Sequence, residues 1–126
     1  MAAPRSLSPV NHLALAVADQ ARSRSFYETY LGFVAEPAPR ADGVLILHDA
    51  AGFSLALGEV EAPVVLPPFL HFGTGLRSPA EVRAFRDRVV ADGREVVEWW
   101  DEPDYVSVKI RDPDGYVVEV AWEPGG

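Results

Sequence analysis

Apolar and polar positions alternate from Val10 to Val17: Val10, His12, Ala14 and Ala16 point one way, Asn11, Leu13, Leu15 and Val17 the other. A period of two predicts a strand, with one greasy face and one face of small side chains beside a histidine. The period then lengthens. Phe26, Tyr27, Tyr30 and Leu31 recur at helical spacing, Asp19 is placed to cap the helix start, and Gly32 to end it. Short strands are predicted at Phe33–Glu36, Gly43–His48 and Phe53–Gly58, the last two joined by a turn at Asp49–Gly52. This first unit reads βαβββ.

The same order then recurs. Pro63, Pro67 and Pro68 interrupt regular structure and mark a linker over 59–68. Phe69–Gly75 repeats the histidine strand. Ser78-Pro79-Ala80-Glu81 joins a capping box to a proline at the first helical position, and Gly93 closes that helix. Strands at Glu95–Trp100, Tyr105–Arg111 and Tyr116–Trp122 follow, with an Asp112-Pro-Asp-Gly115 turn inside the last hairpin. An offset of 59 lays His12 on His71, Asp19 on Ser78, Arg24 on Arg83, Phe26 on Phe85 and Glu28 on Asp87. An offset of 63 lays Asp49, Gly52 and Phe53 on Asp112, Gly115 and Tyr116. Repeated sequence at this scale implies repeated structure. The expectation is one α+β domain over 1–126, with βαβββ modules at about 9–58 and 69–122.

Composition narrows what such a domain can do. With 126 residues, 48% hydrophobic, the chain is long enough to bury roughly two-thirds of its unfolded surface. Met1 to Pro9 lacks the apolar core of a signal peptide, and no apolar run approaches the ~20 residues of a membrane span, so no membrane partner and a cytoplasmic location are expected. The net charge of −8 argues against nucleic acid, because 11 Lys and Arg are scattered among 19 acids. There is no cysteine, which excludes disulfides, thiolate metal sites and cysteine nucleophiles. Any metal must be held by nitrogen and oxygen.

Strand periodicity also sorts the polar residues. His12 shares its face with Ala14 and Ala16, His71 with Gly73 and Gly75, and Ser54 with Ala56 and Gly58. Glu119 shares its face with Val117 and Ala121, whereas Tyr116, Val118, Val120 and Trp122 form the opposite, core-packing side. Small side chains leave open space, so His12, His71 and Glu119 are expected to protrude into a cavity. Two imidazoles and one carboxylate with open coordination positions suit divalent iron, manganese and related ions, and a carboxylate flanked by Val118 and Val120 is costly to bury without a cation. Tyr105, Ser107, Lys109 and Arg111 alternate with Val106, Val108 and Ile110, which puts the polar set on the cavity side if the apolar set meets a helix. Of adjacent Trp99 and Trp100, one belongs to the core and the other can wall the pocket. His48 reads as a turn residue, and Arg24 and Arg83 as solvent-facing.

His12-Leu-Ala-Leu-Ala-Val, Phe26-Tyr27-Glu28, Leu31-Gly32-Phe33, His71 and Asp112-Pro-Asp-Gly-Tyr-Val-Val-Glu119 together resemble the vicinal oxygen chelate superfamily of glyoxalases, fosfomycin-resistance thiol transferases, extradiol dioxygenases, epimerases and bleomycin-resistance proteins. The resemblance spans nearly the whole chain. It implies two βαβββ modules forming a cupped mixed sheet, one divalent metal ion (Fe, Mn, Ni, Co or Zn) on His12, His71 and Glu119, and a homodimer that shares the site between subunits. It also implies substrate contacts from Ser107 and Lys109, to which Ser54, Tyr105 and Trp100 are added as substrate-binding candidates.

The departures are as informative. Glyoxalase I and the epimerase carry a fourth ligand where this chain has Ala56. The thiol transferases resemble a longer chain with a cation beyond Glu119 and a hydroxyl where Ala14 stands, and extradiol dioxygenases commonly use two such domains. The function implied is a metal-dependent enzyme acting on a small oxygen-chelating substrate. The alternative is an acidic, non-catalytic protein that sequesters a small drug-like molecule.

Overall fold

Segments of period two form strands and the two capped segments form helices. The computed structural model describes residues 2–62 and 65–126. Along them run β1 (His12–Val17), α1 (Gln20–Leu31), β2 (Val34–Ala35), β3 (Leu45–His48), β4 (Ser54–Glu59), β5 (His71–Gly75), α2 (Pro79–Ala91), β6 (Val96–Glu102), β7 (Tyr105–Arg111) and β8 (Val117–Trp122). No helix among them is long and apolar enough to cross a membrane. The chain divides into two compact units, Met1–Val64 and Val65–Gly126. That boundary falls within the expected linker, of which Pro63 lies outside the described residues.

Each unit builds its own four-stranded mixed sheet, with order β1-β4-β3-β2 in the first and β5-β8-β7-β6 in the second. In both, the first strand lies parallel to the last and the remaining pairs are antiparallel. The duplication read from the sequence is therefore a duplication of topology. Its turns repeat to the atom. Asp49 Oδ1 accepts from the backbone N–H of Ala51 and Phe53 at 3.0 and 2.8 Å, and Asp112 Oδ1 from Asp114 and Tyr116 at 2.9 Å each. Gly52 and Gly115 close them with φ of 88° and 94°, which only glycine adopts without steric cost.

The caps act as expected, with one shift. Asp19 accepts from Arg22 N and Ser78 from Glu81 N, each satisfying an unpaired donor in the first helical turn. Glu81 does not return to the cap residue, as a capping box would have it. It takes the N–H of Arg77, one position earlier, at 2.9 Å. The strand edges also differ by a residue or two from the sequence pattern. Val10, Phe69 and Leu70 fall outside β1 and β5 and are exposed, because no neighbouring strand pairs with them. Glu59, expected in the linker, is the last residue of β4, and its carboxylate accepts the N–H of Gln20 at the start of α1.

Each core lies between a helix and one sheet face. In the first unit Phe26 and Tyr27 of α1 are buried with Leu15, Val17, Leu47, Leu55 and Leu57. In the second, Val82 and Val89 of α2 are buried with Val106, Val108, Ile110, Val118 and Val120. Large residues occupy the helix side, so the small and polar ones are left on the opposite face.

The two parallel pairs differ in how closely they approach. Gly73 lies opposite Glu119, and a Cβ there would meet the Glu119 backbone oxygen at 2.7 Å and its Cβ at 3.0 Å. A Cβ at Gly58, in the corresponding pair of the first unit, would come no nearer than 4.0 Å to Leu15 O. Gly73→Ala is therefore expected to destabilise the chain by roughly 1–3 kcal/mol through overpacking, and Gly58→Ala by no more than about 0.5 kcal/mol. Denaturant unfolding of both variants checks the contrast; equal midpoints would contradict it.

Candidate functional site

Register decides which side chains share the open face of the second sheet. Gly73 is opposite Glu119 across β5 and β8, Glu119 is opposite Lys109 across β8 and β7, and Lys109 is opposite Glu98 across β7 and β6. One step along, Ser107 pairs with Ala121 and with Trp100. His71, Glu119, Tyr105, Ser107, Lys109 and Trp100 accordingly line one face, with their apolar neighbours turned to α2. A cleft of about 420 Å³ opens there, walled by His71, Gly73, Gly75, Glu119, Ala121 and Glu123.

Glu119 is the centre of this face. Its Oε2 accepts hydrogen bonds from the hydroxyls of Tyr105 and Ser107. Its Oε1 faces His71 Nε2 at 3.8 Å. Partial burial raises the carboxyl pKa, but the Ser107 and Tyr105 bonds, with Lys109 and His71 nearby, outweigh it and hold Glu119 below the ordinary carboxylate range. The same contact acts in reverse on Tyr105, where burial and the bond to Glu119 raise the phenol. Glu119 is thus a carboxylate, kept ionised by the buried Ser107 hydroxyl and the half-buried Tyr105 hydroxyl.

His71 is oriented just as definitely. Its Nδ1 lies 2.9 Å from the backbone oxygen of Phe69, which can only accept, so Nδ1 carries a proton and, in the neutral ring, Nε2 is the lone-pair atom facing Glu119. At 3.8 Å that nitrogen and Oε1 are too far apart to hydrogen bond. A tetrahedral or octahedral cation bonded to each at about 2.1 Å would hold the two atoms roughly 3.0–3.4 Å apart, so the pair would close slightly to share one. The donor set fits a divalent ion taking nitrogen and oxygen.

His12 has the same preparation. Its Nδ1 lies 2.8 Å from Asn11 Oδ1, leaving Nε2 as the lone-pair atom. It belongs to the first unit, opposite Ser54 in the parallel β1–β4 pair. Among the described residues no group of three or more His, Asp or Glu side chains is gathered to hold a metal ion. The pair brought together is His71 with Glu119. A first-unit cleft of about 400 Å³ is lined by His12, Arg40, Ile46, Ser54 and Ala56.

Several side chains have partners that periodicity could not name. Lys109 lies on the cavity face, where both Glu98 carboxylate oxygens accept from it at 3.3 Å. Trp100 is 46% exposed on that face and donates to the same Glu98. These two bonds, Trp100 first, lower the Glu98 pKa. Trp99 turns to the helix side, its ring 4.9 Å beneath the Arg86 guanidinium. Arg24 and Arg83 face solvent as expected, with side chains 42% and 50% exposed. There Arg24 pairs with Glu28 one helical turn on at 2.8 Å, and Arg83 forks onto both Asp101 oxygens at 3.0 and 2.9 Å. His48 is more than a turn residue: it ends β3 and bridges Glu36 and Ser54.

The sequence profile of the Glyoxalase/Bleomycin resistance protein/Dioxygenase superfamily matches residues 10–120. The chain belongs to that superfamily. Among solved structures, a possible glyoxalase from Bacillus cereus is 28% identical, with 90% of this chain and 98% of that one aligned at a TM-score of 0.76. A glyoxylase/bleomycin resistance protein/dioxygenase domain from Frankia sp. EAN1pec is 22% identical over 94% and 99% of the chains at 0.77. A genomically encoded fosfomycin resistance protein from Listeria monocytogenes is 18% identical over 91% and 93%, also at 0.77. No curated protein matches. Membership in the vicinal oxygen chelate superfamily accounts for the two βαβββ units.

Removing either hydroxyl should release Glu119 towards its ordinary pKa. In a carbon-13 NMR titration, Tyr105→Phe and Ser107→Ala are each expected to raise the Glu119 pKa; an unmoved midpoint in both would show that the hydroxyls do not hold the carboxylate. The linkage has a definite sign. A carboxyl with a lowered folded-state pKa contributes stability above its unfolded value, and that contribution disappears as pH falls through the lowered one.

Proposed function

We propose that this superfamily member is a metal-dependent vicinal oxygen chelate enzyme acting on a compact substrate with neighbouring oxygens. His12, His71 and Glu119 are its protein ligands for one divalent ion. The observation that supports this best is the pairing of His71 Nε2 with Glu119 Oε1 at 3.8 Å, every other polar side-chain atom of the two being occupied. A metal ligand whose remote atoms are fixed by hydrogen bonds is the usual construction of a metal site. When bound, the ion would supply Lewis acidity to substrate oxygens.

The residues of the chain set the conditions. Glu119 stays ionised because Tyr105 and Ser107 donate to it, and His71 is held in one tautomer by Phe69 O. Trp100 offers an aromatic wall for an apolar or planar substrate. Lys109 is positioned to attract an anionic substrate oxygen, at the cost of loosening its bonds to Glu98. The cleft volume suits a small molecule. In the homodimer proposed, His12 of one copy serves with His71 and Glu119 of the other.

Elemental analysis of protein purified without chelator tests the reading. Near-stoichiometric Fe, Mn, Ni, Co or Zn, lost in His71→Ala and Glu119→Ala with the fold retained, is expected. Clean absence of metal from well-folded protein that still binds a small molecule tightly would instead establish a sequestering protein. Lys109→Met should weaken binding of an identified substrate about tenfold or more without changing metal content; unchanged affinity would remove Lys109 from the site.

A further inference from the structure

Beside the first-unit cleft stands a second constellation, of which Ser54 lines the cleft and Glu36 and His48 stand outside its wall. Glu36, just after β2, places Oε1 3.2 Å from His48 Nε2. On the other side of the ring, His48 Nδ1 lies 3.0 Å from Ser54 Oγ. The three come from neighbouring strands, since β2 pairs with β3 and His48 is opposite Ser54 across β3 and β4. Arg40 reaches the same carboxylate, with a terminal guanidinium nitrogen 3.1 Å from Glu36 Oε1.

The direction of these hydrogen bonds follows from charge. Bonds from Arg40 and then His48 hold Glu36 below the ordinary carboxylate range, so it is an ionised acceptor. His48 Nε2 therefore donates to Glu36, and in the neutral ring Nδ1 is left as the lone-pair atom facing Ser54. The serine hydroxyl donates to Nδ1. A nucleophile hydrogen bonded to a base, itself oriented by a third group, is the arrangement that activates serine, and either ring nitrogen can serve as the base.

The surroundings favour one class of reactant. Ser54 lines the cleft of about 400 Å³ with Ile46 and Ala56, which offer apolar contact to an acyl chain, and Arg40 supplies positive charge on the same wall. We propose that Ser54, with His48 as base and Glu36 as its positioning residue, is an acyl-accepting nucleophile for small uncharged carboxylic esters. Ser54 Oγ bonds to the acyl carbon as its proton passes to His48 Nδ1. The ester carbon–oxygen bond breaks, and His48 returns the proton to the departing alkoxide. Water then attacks the acyl-serine through the same base, releasing the carboxylic acid and restoring Ser54.

The probe is p-nitrophenyl acetate on the full-length protein, with nitrophenolate release followed optically and the acetyl group located by peptide mass spectrometry. A burst with acetyl on Ser54 is expected, absent in Ser54→Ala and present again as a thioester in Ser54→Cys. His48→Ala should slow acylation on the order of 10²-fold, with added imidazole restoring part of the rate. A merely structural histidine would show no such rescue. Circular dichroism confirms that each variant is folded. The proposal is overturned by acetyl found elsewhere, by an unchanged rate in folded Ser54→Ala, or by loss of the burst after dialysis against EDTA, which would assign the reaction to a metal.

Discussion

Parallel pairing of β5 with β8 governs the face on which the candidate site is built. It sets Gly73 against Glu119 and, through β7 and β6, aligns Tyr105, Ser107, Lys109 and Trp100 on the same side. The approach is so close that no side chain fits at Gly73. A slip of one residue in β8 would turn Glu119 into the helix-packed core and expose Val118 or Val120. Core packing on one face thus fixes chemistry on the other.

The duplication separates what is structural from what is chemical. Both units keep the histidine at the start of the first strand, the helix cap, and the aspartate turn with its two accepted N–H groups. They differ where a strand meets the cavity. Position 119 carries a carboxylate and the corresponding position 56 an alanine, whereas the hydroxyl of Ser54 corresponds to Val117 in the second unit. The first unit spreads its polar side chains across neighbouring strands, on Glu36, His48 and Ser54; the second concentrates them around one carboxylate.

Much of this is legible in the sequence because it is local. Strand alternation, caps and the Asp-to-Gly turns depend on residues within a few positions of one another, and they yielded the order of elements. Pairings between distant residues are another matter. Lys109 with Glu98, Arg83 with Asp101 and His48 between Glu36 and Ser54 depend on register, and β6 contains an irregularity between Val96 and Glu98 that no period reveals. His48 gave one usable signal: it shares a face with Ser54 once the Asp49 turn is drawn as a hairpin. The Glu81 contact with Arg77 shows the same limit at a helix start, where the residue pattern names the motif but not which N–H it reaches.

The two hydroxyls on Glu119 settle more than its charge. Both act on Oε2, so only Oε1 is left facing His71. A carboxylate held this way would be monodentate towards any cation it meets, filling one coordination position where a bidentate carboxylate fills two. Tyr105 and Ser107 would thereby determine how many positions stay open for a substrate to chelate, without either touching the ion.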